Sequence, residues 1–137
     1  MSEGKKNINT GTLMKKLFTA LTHLEKLRFL DLCDSGEYDG SVFVSLGDFE
    51  YLDISNCTDS YKYLSGKSIK RLCVNYTDMD SLEYLKNIEG LEELEIASMD
   101  LRDVSALLEM DSLKKVRTTS RIKDMIKELE NVPFEIY

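Results

Sequence analysis

The apolar positions of this chain recur as a hexamer, L-x-x-L-x-L, in which other aliphatic or aromatic residues can stand in. Its copies are Leu27-x-x-Leu30-x-Leu32, Phe49-x-x-Leu52-x-Ile54, Ile69-x-x-Leu72-x-Val74, Leu91-x-x-Leu94-x-Ile96 and Leu113-x-x-Val116-x-Thr118. The central anchors Leu30, Leu52, Leu72, Leu94 and Val116 are separated by 22, 20, 22 and 22 residues. A hydrophobic pattern returning with a period in the twenties marks a solenoid of stacked repeats.

The pattern also predicts what each repeat contains. Alternation with period two places Leu30 with Leu32, and Leu94 with Ile96, on one face of a short strand. Beyond the strand, apolar residues fall at Met79, Leu82, Leu85, Ile88 and Leu91 after Leu72, and at Leu101, Val104, Leu107, Met110 and Leu113 after Leu94. Steps of three predict a return path of 3₁₀ or short helical turns. The copy after Leu30 is looser and keeps Phe43, Leu46 and Phe49. The copy after Leu52 is two residues short, and Leu64 and Ile69 do its inward work. One repeat cannot bury its apolar side alone, whereas stacked repeats share one core.

The open ends of such a stack need covers. Leu13, Leu17, Leu21 and Leu24 lie at helical spacing, with Thr12 as a plausible N-cap. Ile122, Met125, Ile126 and Leu129 outline a second helix, with Ser120 as candidate cap and Pro133 as its stop. Phe134 and Ile136 are placed to close the last repeat as an extended tail. The expected organisation is one structural domain: an N-terminal helical cap over 1–26, repeats over 27–119, and a C-terminal helical cap and tail over 120–137.

These hexamers and their spacing resemble the leucine-rich repeat family, specifically its short 22-residue, internalin-like class, from Leu27 to Arg121. The resemblance implies an α/β fold: a leucine-rich repeat solenoid of about five coils with a parallel concave β-sheet and helical N- and C-terminal caps. The chain departs from the family where Asn or Cys is preferred, three residues after the second strand anchor. Ser35, Cys57, Thr77, Met99 and Arg121 stand there, and only Cys57 fits. An incomplete side-chain ladder is expected, which Met99 cannot join.

Charge narrows the partner. The 137 residues carry 25 acidic and 18 basic side chains, a formal charge of −7. That excess disfavours nucleic acid and anionic membranes, which need basic patches. It permits a basic protein partner. The polar first residues do not read as a signal peptide, and no apolar run approaches the roughly 20 residues of a membrane span. Three cysteines without C-x-x-C spacing suit a reduced, cytoplasmic protein. Cys57 is expected to point inward, with Cys33 and Cys73 on the opposite strand face.

Catalytic chemistry is not expected. There is no phosphate-binding glycine loop, no G-x-S-x-G elbow and no H-E-x-x-H pair. The one histidine, His23, sits on the flank of the first helix, so neither a Cys–His dyad nor a metal cluster forms from the pattern. Asp31 and Asp53 should neighbour each other on adjacent strands about 4.8 Å apart. Five flat strands give such carboxylates no deep pocket. No cofactor and no metal is implied.

The strand positions that do not point inward form columns. The first is Phe29, Tyr51, Arg71, Glu93 and Lys115. The second is Asp31, Asp53, Cys73, Glu95 and Arg117, and the third contains Cys33, Ser55, Asn75, Ala97 and Thr119. Glu95 and Arg117 are placed to pair. The expected partner-binding residues are Phe29, Asp31, Tyr51, Asp53, Arg71, Cys73, Asn75, Glu93, Glu95, Lys115 and Arg117. Acidic, tyrosine-bearing loops extend this surface through Asp34, Glu37, Tyr38, Asp39, Asp59, Tyr61, Tyr63, Tyr76 and Asp78. The alternative is that some of these tyrosines complete the irregular second repeat, where Tyr61 and Tyr63 cannot both point inward if the segment is extended. Exposed aromatics beside carboxylates suit protein recognition.

The expected function is therefore a non-enzymatic protein–protein interaction module, monomeric, binding through its acidic and aromatic strand face. Small acidic solenoids resemble some immunity proteins of polymorphic toxin systems, which implies inhibition of a basic toxin. The alternative is a regulatory or targeting subunit of an enzyme complex.

Overall fold

A computed structural model describes residues 28–33 and 40–137. The hexamers form β1 (Phe29–Asp31), β2 (Phe49–Asp53), β3 (Ile69–Cys73), β4 (Glu93–Ile96) and β5 (Lys115–Thr118). A sixth strand, β6 (Glu135–Ile136), comes from the tail. All pair in parallel, and their order in the sheet is their order in the chain. The sequence pattern predicts five strands. The tail adds the sixth because Phe134 is buried and Ile136 packs on the core, which brings the backbone between them alongside β5.

Register follows the anchors. Leu30 faces Leu52, Leu52 faces Leu72, Leu72 faces Leu94 and Leu94 faces Val116. The two-residue deletion after β2 is therefore absorbed in the return path and not in the sheet. A one-residue slip would turn every anchor to the other face, so burial fixes the pairing.

Parallel neighbours need a crossover. Here the crossovers carry 3₁₀ turns at Gly40–Ser45, Ser60–Tyr63, Leu82–Leu85 and Ser105–Glu109. The residues at steps of three after Leu72 and Leu94 are all buried, from Met79 through Leu113. Tyr61 fills the short return segment beside Leu64, and Tyr63 remains at the surface. Gly40 is required by a close approach: a Cβ there would lie 2.9 Å from the Ser60 Cα.

The chain leaves successive strands through a left-handed residue, Asn56, Tyr76 and Ser98, with φ of 57°, 56° and 55°. Backbone bonding continues through these turns, from Asn56 N to Asn75 O and from Tyr76 N to Ala97 O. One residue further on, Cys57 Sγ donates to the Leu32 carbonyl of the preceding repeat at 3.3 Å. Thr77 Oγ1 donates to the Val74 carbonyl of its own repeat at 3.0 Å, so its hydroxyl is satisfied locally and adds no rung between repeats. Met99 is buried without joining, but its carbonyl and that of Leu101 accept from the Arg121 guanidinium.

Beyond β5 lies one α-helix, α1 (Ser120–Lys127), burying Ile122 and Ile126 in the same core. Its N-cap is Thr119, not Ser120, because Thr119 is the last extended residue and its carbonyl takes the Lys123 N–H. It ends well before Pro133: Glu128 N bonds back to Met125 and Ile126, and Asn131 turns left-handed at φ 57°. The expected N-terminal helix and the Asp34–Asp39 loop fall outside the described residues. Among the described residues no helix is long and apolar enough to cross a membrane.

Candidate interaction surface

The side of the sheet turned away from the core carries the predicted columns. Tyr51 is in register with Phe29 and Arg71, and Glu93 with Arg71 and Lys115. Asp53 is in register with Asp31 and Cys73, and Glu95 with Cys73 and Arg117. Asn75 sits past the end of β3, its N–H on Ser55 Oγ.

The face is graded. At β1 and β2, Phe29 is 60% exposed and lies beside Tyr51. Asp31 Oδ1 accepts the Cys33 N–H at 2.9 Å, and Asp53 Oδ1 accepts the Ser55 N–H at 2.8 Å. Each carboxylate thus ends its strand with a side-chain turn and keeps its charge at the surface. At β5 the sign reverses, with Lys115 and Arg117 both exposed.

Between these ends the side chains interlock. Tyr51 Oη donates to Asp53 Oδ2 at 3.4 Å, and the Arg71 guanidinium lies over the Tyr51 ring, 5.2 Å from its centroid. Cys73 Sγ lies 3.8 Å from Tyr51 Oη and 3.5 Å from Glu95 Oε2. Its single proton belongs with the carboxylate, the stronger acceptor. Asn75 Nδ2 donates to Glu95 Oε1 at 3.0 Å.

Cys73 lies on the expected face, but Tyr51 and Glu95 cover it to 9% exposure. Burial pushes its thiol up to about 12, reinforced by the Glu95 and Asp53 charges and opposed by the Tyr51 hydroxyl. Burial likewise raises the Tyr51 phenol, with Cys73 adding to the effect. This thiol is held neutral, the reverse of an activated nucleophile.

The pairing expected between Glu95 and Arg117 does not form. Glu95 is held instead by Cys73 and Asn75, and Lys115 lies 3.9 Å from Glu93. Arg71 and Arg117 form no ion pair with a described residue.

The sheet is also less flat than five bare strands would be. Tyr51, Arg71, Cys73, Glu93, Glu95, Lys115 and Arg117 surround a depression of about 350 Å³, walled at its far end by Tyr137. Phe29, Asp31, Asp53 and Asn75 lie outside it. Tyr137 was not among the expected contact residues. The alternation that turns Phe134 and Ile136 to the core also sends Glu135 and Tyr137 to the open face, and Lys115 Nζ sits 5.9 Å over the Tyr137 ring. Of the two loop tyrosines that could complete the second repeat, Tyr61 is the one in the core, stacked edge-on against Tyr84 at 5.0 Å. Tyr76 is exposed.

Among the described residues no group of His, Cys, Asp and Glu is placed to hold a metal ion. Comparison with known families, with curated proteins and with solved structures finds no match to this chain.

Proposed function

We propose that this chain is a leucine-rich repeat solenoid of the short class, closed by helices at both ends, that binds a protein partner through its strand face and carries out no catalysis. The period of the hexamer and the unbroken register of its anchors support the solenoid. The binding reading is carried by one observation: Phe29 stands 60% exposed beside Tyr51 on a sheet face that nothing in the described chain covers. Exposed aromatics of this kind are commonly contact residues.

The charge order describes the partner. Asp31 and Asp53 at one end call for basic groups, and Lys115 and Arg117 at the other call for acidic ones. With a net charge of −7, encounter is steered towards a basic protein. An immunity-type inhibitor covering a basic toxin in the cytoplasm fits this reading. A regulatory or targeting subunit is the second reading, favoured by the exposed apolar side chains Val44, Tyr84 and Leu108 on the return segments, away from the strand face.

The test is joint replacement of Phe29, Asp31, Tyr51 and Asp53 by Ala, with the fold followed by circular dichroism. Loss of partner capture with an intact spectrum supports the strand face. Unchanged capture rules it out. An activity assay on the complex then separates inhibition from redirection.

A further inference from the structure

We infer that the depression over β3–β5 anchors an acidic side chain of the protein partner between Arg71 and Arg117. The inference rests on the strand face being the contact surface and names the chemistry that this part of it accepts. Glu95 is held by hydrogen bonds from Asn75 and Cys73, and Glu93 lies in a loose ion pair 3.9 Å from Lys115. The two guanidiniums form no ion pair with a described residue, so their donor capacity is open. With Lys115 the lining carries three cations against these two carboxylates.

Arg71 is also held in place. Its guanidinium carbon lies over the Tyr51 ring, 5.2 Å from the centroid. A guanidinium resting on an aromatic ring loses little freedom when it takes a carboxylate in a two-bond fork. Arg117 faces the same space from β5, one strand beyond Glu93 and Glu95. Those two carboxylates set the selectivity. They tolerate one negative charge held between two arginines and disfavour a doubly charged phosphate, which repels them more strongly. The depression is open and shallow, which suits a side chain projecting from a protein surface better than a small molecule that must be enclosed.

The test uses capped peptides, which isolate the anchor from the rest of the face. An acetylated, amidated tetraglutamate peptide is titrated into the full chain while the Arg Nε–H signals are followed by nuclear magnetic resonance. Tetralysine and inorganic phosphate are run as counter-probes. The expected result is saturable shifts at Arg71 and Arg117 with tetraglutamate, weakened about tenfold by Arg71→Gln or Arg117→Gln, as for one lost charge-assisted bond. Arg102→Gln, an exposed cation elsewhere, should leave binding unchanged. Stronger binding of tetralysine or phosphate overturns the inference, as does equal weakening by all three variants. Because the peptides never touch Phe29, such a failure leaves the capture result for the strand face standing.

Discussion

Arg121 Nη2 donates to the Leu101 carbonyl at 2.7 Å, and Nη1 lies 3.5 Å from the Met99 carbonyl. One side chain on the first turn of α1 thus serves two backbone acceptors of the preceding repeat, at the place where Cys57 reaches back to one, the Leu32 carbonyl. Arg121→Met should lower stability by about 1–2 kcal/mol, the range for hydrogen bonds from a charged donor that is partly exposed. Arg121→Lys should recover only part, since one ammonium cannot span both carbonyls as the planar fork does. Urea denaturation measures both.

The alternation on β4 makes a sharper contrast. Leu94 is 2% exposed in the core, while its neighbour Glu93 lies on the open face with Lys115 at 3.9 Å. Leu94→Ala should cost about 3 kcal/mol through lost burial and the cavity left behind. Glu93→Ala should stay within about 0.5 kcal/mol, since exposed ion pairs contribute little. Comparable losses at the two positions would contradict the assigned faces.

Tyr76 holds a left-handed backbone, φ 56°, with its side chain 64% exposed. Asn56 holds the equivalent position in the preceding repeat at φ 57°, and Asn suits that conformation better. Tyr76→Asn should therefore raise stability by about 0.5–1 kcal/mol, read as a higher denaturation midpoint. If Tyr76 also touches the partner, the same variant binds more weakly while being more stable, a combination no folding defect produces.

Cys73 predicts a pH dependence. Its thiol is raised from 9.0 to about 12, chiefly by burial. Between those values the unfolded thiol ionises and the folded one does not, so stability is fully present below pH 9 and falls as pH rises towards 12. The raised Tyr51 phenol acts in the same direction. The slope should shrink in Cys73→Ala, measured by urea midpoints across that window. At pH 8 a thiol reagent should modify exposed Cys33 well before Cys73 or Cys57.

What the sequence made legible was everything governed by periodicity. The anchors Leu30 to Val116, the two outward columns and the inward residues from Met79 to Leu113 all follow from alternation and steps of three. What it left hidden depends on which neighbour a polar side chain chooses. Glu95 could pair with Arg117 by register, yet Asn75 and Cys73 are nearer and hold it. Cys73 is on the outward face by alternation and is nonetheless covered, because Tyr51 leans across it. β6 was visible as an extended tail, but only the burial of Phe134 shows that it joins the sheet and brings Tyr137 to the depression. Tyr61 was ambiguous because the shortened second repeat breaks the spacing that would have marked it as core.

The most direct test of the proposed strand-face contact is affinity capture with three proteins in parallel: the native chain, the Phe29/Asp31/Tyr51/Asp53→Ala variant, and a Val44/Tyr84/Leu108→Ser variant of the return face. Each is run at low and high salt with mass spectrometry of what is retained. A partner held by the native chain and the return-face variant, lost with the strand-face variant and weakened at high salt, is the predicted result. A partner that survives the strand-face changes and is lost with the return-face ones would contradict it.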